Sequence, residues 1–311
     1  MKHVLVVGGC GFIGSHVVDS LIAQGHRVRV LDMKPEAFRA PVPGVQYVTG
    51  SFMSEPVMQA ALQDIDVVVH GVSTTVPSTA NADPLADIQG NLMSTVRMLQ
   101  IMRQQRVGKL VFLSSGGTVY GVPSVEVVPE THPLAPITSY GIVKVAIEQY
   151  LHMEHRLHGL DYVALRVSNP YGPRQGYNGI QGIIGNYLWK IAHGEQIEVW
   201  GDGSIVRDFV HVHDLAELCA TVVEAPIVGC FNAGSGTGAS VNEIVQAASA
   251  VTNRRIRPIY KPGRSFDVPR IILDIRRIRS ATDWVPKTPL IQGMRHSWNW
   301  IQGHRSIDAI A

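Results

Sequence analysis

A chain of 311 residues, 45% of them hydrophobic and 17% charged, holds enough apolar material for one large core or two smaller ones, and too much to stay disordered. Its net charge of +2 and lack of any Lys/Arg block leave no electrostatic footprint for nucleic acid, and no apolar run approaches the roughly 18 residues of a membrane span. Cys10, Cys219 and Cys230 show no Cys-x-x-Cys spacing and the N-terminus no signal-peptide core, so neither a disulfide framework nor a structural zinc is expected, and the cytoplasm is the expected compartment.

Residues 4–7 form an uninterrupted apolar run, the pattern of a strand buried on both faces of a parallel sheet. The turn Gly8-Gly9-Cys10-Gly11-Phe12-Ile13-Gly14 follows and opens a helix to position 23, with Gly25 as its stop. Glycines at 8, 11 and 14 let the backbone approach a pyrophosphate, and a helix N-terminus supplies N–H groups and a positive dipole end. Gly8, Gly11, Phe12, Ile13 and Gly14 are therefore the candidate phosphate-binding turn of a dinucleotide site. The next strand, 27–31, ends in Asp32, a carboxylate suited to both adenosine ribose hydroxyls and repelled by a 2′-phosphate, which favours NAD over NADP. Lys34 tempers that preference. Strands are expected at 45–48 and 66–70, and the hydroxyls of Ser73, Thr74 and Thr75 carry two readings, local turn bonds or contacts to a substrate. Apolar spacing at Ile88, Leu92, Val96, Leu99 and Met102 predicts a helix over 87–105.

The fifth strand, 109–113, delivers Ser114-Ser115-Gly116-Gly117-Thr118 at its carboxyl end, where open α/β sheets bind ligands. In the helix beyond it Tyr140 and Lys144 are four apart and share a face. A nearby ammonium favours a phenolate and is expected to draw the tyrosine from its usual value near ~10 toward neutrality. Such a phenolate can take a proton from a substrate hydroxyl as hydride leaves the carbon. Tyr-x-x-x-Lys alone is common on amphipathic helices; the glycine turn gives it weight. His152, His155 and His158 repeat on the same helix, but no carboxylate or cysteine has matching ligand spacing, so they are read as solvent or interface residues and no metal is expected.

With Gly-x-x-Gly-x-x-Gly after the first strand and Tyr-x-x-x-Lys after the fifth, the chain resembles the extended short-chain dehydrogenase/reductase superfamily, the NAD-dependent nucleotide-sugar epimerases and dehydratases, from Val4 to about Gly293. The resemblance implies an α/β fold, a doubly wound parallel (Rossmann) sheet with a smaller mixed α/β lobe. An NAD-binding domain would span 1–170 plus about 208–235, and a nucleotide-sugar-binding domain about 171–207 plus 236–311. It also implies a homodimer paired through the helices near 87–105 and 139–158. Tyr140 would be the acid/base, Lys144 would lower its pKa and hold the nicotinamide ribose, and Asn91 matches the family's asparagine. Asn169 would face the diphosphate of a UDP-sugar, Arg207 would clamp phosphate, and Arg264 and Asp267 would reach phosphate and nucleotide ribose.

The chain also departs from that pattern. Ser51-Phe52 stands where relatives have Asp-Ile or Asp-Leu against adenine, and Gly71 to Thr75 replaces His-Leu-Ala-Ala. Gly116 stands where a Ser or Thr bonds the sugar O4, so Ser115 or Thr118 is expected to assist Tyr140. Dehydration needs a further acid and base, and Gly117-Thr118 supplies neither. The expected reaction is C4 epimerisation of a UDP-hexose through a transient 4-keto sugar. Its rivals are the same reaction on a UDP-uronate or UDP-N-acetylhexosamine, an NAD(P)H-dependent 4-keto-nucleotide-sugar reductase, and a non-catalytic NAD-binding sensor.

Overall fold

The computed structural model describes residues 1–176, 182–263 and 268–304. Seven parallel strands form its main sheet: β1 (His3–Val7), β2 (Arg27–Asp32), β3 (Gln46–Thr49), β4 (Val67–His70), β5 (Lys109–Ser115), β6 (Asp161–Val167) and a seventh, Gly229–Ala233. Their order across the sheet is seventh, β6, β5, β4, β1, β2, β3. The order reverses at β1, which pairs with β2 on one side and β4 on the other. Loops leaving β1 and β4 therefore part to opposite sides and open a crevice between them. Every residue of β1 and of β4 is buried, as their continuous apolar runs require.

One face of the sheet is covered by helices Phe12–Ala23 and Val212–Glu224, through Val17, Leu21, Leu215 and Leu218. The other is covered by Ser94–Gln104 and Ser139–His158, through Met98, Met102, Ile147 and Leu151. Helix Ser139–His158 starts where Thr138 accepts a hydrogen bond from the Gly141 N–H at 3.2 Å, and ends at Gly159 with φ 71°, a left-handed C-cap that glycine adopts without strain. The single helix expected over 87–105 is broken instead. Pro84–Asp87 is one turn, Ile88–Met93 is a π-helical segment, and the α-helix proper is Ser94–Gln104. From the start of that α-helix Ser94 Oγ donates back to Gln89 O at 3.0 Å and Thr95 Oγ1 to Asn91 O at 2.7 Å, both acceptors in the π segment. The wider turn leaves the Asn91 side chain to bond elsewhere, an arrangement frequent at functional sites.

The smaller lobe is built on strand Val206–His211, which pairs parallel with Asn169–Tyr171 and Arg270–Ile271 and antiparallel with Gly238–Ser240. It has its own core, with Tyr187, Leu188, Ile244 and Met294. Among the described residues no helix is long and apolar enough to cross a membrane.

The inner face of helix Ser139–His158 also buries Lys144 and Glu148. Glu148 is satisfied by Arg166, Nη2 to Oε2 at 2.7 Å, and by Ser114 Oγ at 2.5 Å. Arg166 in turn donates from Nη1 to the Tyr120 hydroxyl at 3.0 Å. This network ties the helix to β5 and β6. Arg166→Met leaves Glu148 as a buried unpaired carboxylate and is expected to lower stability by about 3–5 kcal/mol in denaturant unfolding, while adding Glu148→Gln recovers part of the loss. Equal losses in the single and double variants would show that the charge pairing does not set the stability.

Candidate active site

The crevice between β1 and β4 is lined first by the glycine turn. Gly8 has φ +86°, and a side chain at Gly14 would overlap the Gly8 carbonyl. At Gly11 the nearest atom to an added Cβ is Gly8 O at an ordinary 3.4 Å, so this glycine keeps space open above the turn. Helix Phe12–Ala23 begins there without a side-chain cap, leaving Phe12, Ile13 and their neighbours to offer N–H groups to an anion. Asp32, at the end of β2, closes the far side. Its Oδ2 accepts from Cys10 N at 3.0 Å and its Oδ1 from Lys34 N at 3.2 Å, which leaves lone pairs for ribose hydroxyls. These features fit a dinucleotide. Phe52 is buried in the core against the His70 ring, centroids 5.4 Å apart.

Tyr140 lies in the first turn of its helix and Lys144 one turn on. Lys144 is buried, its Nζ donates to Leu113 O at 2.9 Å, and it stands 5.3 Å from the centre of the Tyr140 ring. Burial lowers the lysine to about 8, against the pull of Asp87 and Glu148. The phenol does not follow the expectation from sequence. Burial first and the Asp87 charge second push Tyr140 up to about 12, opposed by the hydrogen bond it shares with the Ser73 hydroxyl. Within the polypeptide desolvation dominates, the Lys144 ammonium is held on the Leu113 carbonyl, and Tyr140 rests as a neutral phenol.

Sequence reasoning passed over Asp87. This fully buried carboxylate accepts from Thr75 Oγ1 at 2.6 Å, Asn91 Nδ2 at 2.8 Å and Ser139 Oγ at 2.7 Å. Asn91 Oδ1 accepts from Thr74 N at 2.8 Å. The loop after β4, the π segment and the residue before Tyr140 are thus pinned to one carboxylate. The signal was an acid four residues before Asn91, which on a helix reaches the same face. Ser73 makes the local turn bond, donating to Thr75 O at 2.8 Å, and lies against the Tyr140 phenol. Thr74 instead sits over Gly90, where an added Cβ would be 2.5 Å from Thr74 Oγ1.

The structure also accounts for Gly116. A Cβ there would stand 2.5 Å from Leu273 Cδ1 and 2.9 Å from Arg166 O, so the position faces the protein interior and Leu273 fills the space. Thr118 differs. Its Oγ1 is buried and has no hydrogen-bond partner among the described residues, and its carbonyl packs on Gly141, next to Tyr140. Ser115 is half-buried, with its carbonyl bonded to Val119 N at 3.2 Å. Of the sequence-predicted hydroxyls, Thr118 carries the unmade bond.

Asn169 and Arg207 come together in a second part of the site, a cavity of about 370 Å³ in the smaller lobe, walled also by Tyr187, Trp200, Ile205 and Phe209. Asn169 Nδ2 donates to Asp208 O at 2.8 Å. Tyr187 was not foreseen, since a single aromatic on an amphipathic helix carries no local signal. Neither Tyr140 nor Lys144 lines this cavity. The two parts meet through the strands: Ser115 pairs with Val167, Gly116 N donates to Val167 O at 2.7 Å, and the chain runs on through Ser168 to Asn169. Arg264 and Asp267 lie outside the described residues. On the outer side of the Tyr140 helix, His155 Nδ1 bonds Leu160 O at 3.1 Å and His158 bonds Arg103 at 2.6 Å, so these two of the three repeated histidines have separate partners.

A parallel sheet with a glycine turn at its switch point, and a Tyr/Lys helix flanking the same crevice, defines a dinucleotide-dependent enzyme of the short-chain type. The sequence pattern of the NAD dependent epimerase/dehydratase family matches residues 4–234, and the chain belongs to that family. It is 31% identical over 326 residues to the UDP-glucose 4-epimerase of Halalkalibacterium halodurans, covering 97% of this chain and 96% of the relative. Among solved structures it is similar to the UDP-glucose 4-epimerase of Thermotoga maritima with UDP-glucose, TM-score 0.92 and 32% identity, covering 97% of this chain and 99% of the other. It is also similar to the Thermus thermophilus UDP-glucose 4-epimerase in complex with NAD, TM-score 0.89 and 32% identity over the same shares.

The overlap that a methyl group would create at Gly14 yields a direct test. Overpacking of this kind costs roughly 1–3 kcal/mol, so Gly14→Ala is expected to weaken NAD binding about ten- to hundredfold in calorimetric titration, with the far-UV circular dichroism unchanged. Unaltered affinity would remove the turn from the cofactor site.

Proposed function

We propose that the protein interconverts the C4 epimers of a UDP-hexose, with UDP-glucose as the first candidate, using bound NAD. The observation that carries this is Tyr140, its hydroxyl against Ser73, with Lys144 on the same helix face and the unpartnered Thr118 hydroxyl beside that helix start. Bound NAD supplies a reversible hydride acceptor. The chain's own residues do the rest. Tyr140 Oη takes the proton from the sugar O4 and returns it after the 4-keto sugar has turned over, and Thr118, with Ser115 nearby, steadies that oxygen. Lys144 holds a positive charge below the phenol and reaches the nicotinamide ribose. Gly8, Gly11, Phe12, Ile13, Gly14 and Asp32 hold the dinucleotide, while Asn169 and Arg207 hold the UDP diphosphate so that the hexose alone rotates. A planar guanidinium suits that phosphate contact better than an ammonium. Arg264 and Asp267 complete the nucleotide site in this reading.

The two-lobe division, 1–170 with about 208–235 against about 171–207 with 236–311, belongs to the same proposal; the separate core around Leu188 and Met294 supports it, while the boundaries near 170 and 208 fall inside strands Asn169–Tyr171 and Val206–His211 of the smaller sheet. The proposal also includes a homodimer through the helices near 87–105 and 139–158, which expose Met93, Ile142, Tyr150, Met153 and Leu157, apolar side chains that a partner helix pair would cover.

Purified protein with NAD, offered UDP-glucose, UDP-N-acetylglucosamine and UDP-glucuronate in turn, is expected to give the C4 epimer of UDP-glucose by NMR with no net NADH. Tyr140→Phe is expected to lose about 10²–10⁴-fold in kcat with NAD affinity kept. Stoichiometric NADH consumption on a 4-keto sugar, or full activity in the phenylalanine variant, would refute the proposal. Asp87 raises both Tyr140 and Lys144, so Asp87→Asn is expected to move the pH dependence of kcat to lower pH. Loosening of the loop and helix it pins adds a loss of up to about a hundredfold. A reduced rate with an unmoved pH profile would leave Asp87 a purely structural part.

A further inference from the structure

We propose that His211, His213 and His296 form a binding site for a first-row transition ion, with zinc the best match, at the seam between the two lobes. In the sequence only the pair His211-Val212-His213 is local, and the third residue, His296, is remote from it. His211 ends strand Val206–His211, His213 stands in the first turn of helix Val212–Glu224, and His296 projects from helix Leu290–Gly303. One ligand nitrogen from each lies within 4.8 Å of the others. His211 Nε2 and His296 Nδ1 are buried with no hydrogen-bond partner among the described residues. A buried polar atom left unpaired is costly, and two at one spot mark a position where a ligand relieves the penalty.

The surroundings suit a cation. Asp214 and Asp19 supply nearby negative charge, while Arg174 is neutralised by Asp19 at 2.8 Å. His16 backs the group, its ring 4.8 Å from that of His213, with Nε2 committed to Pro173 O at 3.0 Å. Three imidazoles without a carboxylate favour zinc, nickel or copper over magnesium or calcium.

Two adjustments are required. Tetrahedral zinc with Zn–N bonds of about 2.0–2.1 Å needs its nitrogens about 3.3 Å apart, so the group must contract, which the exposed His213 and half-buried His296 can do by side-chain rotation. Coordination through His211 Nε2 also moves the ring proton to Nδ1 and gives up the 3.3 Å contact from His213 N to that atom, a bond near the long limit. Both point to an exchangeable site with water in the fourth position, bridging residues 211–213 to helix Leu290–Gly303.

The test uses tag-free holoenzyme, stripped with chelator, and titrated with Zn²⁺ by calorimetry and with Co²⁺ by absorption. One ion per chain is expected, with the intense visible bands of four-coordinate cobalt. His213→Ala, at an exposed position that tolerates the change, and His296→Gln should each weaken binding by at least about tenfold, with NAD affinity unaltered. Absence of saturable binding, or zinc and cobalt binding that is the same in both variants, would overturn the proposal.

Discussion

A buried ammonium and a buried carboxylate share the layer beneath Tyr140, and the site is organised by how each is satisfied. Lys144 is held on the Leu113 carbonyl, and Asp87 collects donors from the loop after β4, from the π segment and from Ser139. Charges removed from water persist only where such partners are in place. The consequence is positional: the hydroxyl-bearing loop and the first turn of the Tyr140 helix cannot drift apart without exposing Asp87 to an apolar interior. The consequence is also electrostatic. Tyr140 rises to about 12 while Lys144 falls to about 8, so at neutral pH the phenol keeps its proton and the ammonium its charge. A phenol of this kind becomes a base only as positive charge accumulates beside it, which in the proposed reaction Lys144 and bound NAD would supply.

The sheet brings these parts together. Because the strand order reverses at β1, the glycine turn, the Ser73 loop and the Ser115 loop all emerge at the carboxyl ends of neighbouring strands β1, β4 and β5. β6, paired with β5, carries the chain on to Asn169 and hence to the wall of the cavity that also holds Arg207. The Glu148–Arg166 network fixes the Tyr140 helix to these two strands from below.

What could be read from the sequence was what depends on local spacing. The apolar runs, the glycine turn, Asp32 at a strand end and the four-residue step from Tyr140 to Lys144 all declare themselves within a few residues. What escaped depends on distant neighbours. Gly116 looked like a lost catalytic hydroxyl, yet its missing side chain is explained by Leu273. Asp87 looked like an ordinary acid at a helix start, since burial is invisible in one segment. The direction of the Tyr140 shift was misjudged for the same reason: a helical step reveals proximity to lysine but not the desolvation that outweighs it. The π segment arises from side-chain bonds inside a pattern whose apolar period still reads as α-helix.

In the proposed reaction hydride leaves and returns to the same sugar carbon while Tyr140 moves only the hydroxyl proton. UDP-glucose deuterated at C4, equilibrated with the enzyme and NAD in ordinary water, tests it most directly. The account predicts that both C4 epimers carry the deuterium at C4, with none lost to solvent. Replacement of that label by solvent hydrogen, or failure to form the epimer, would contradict it.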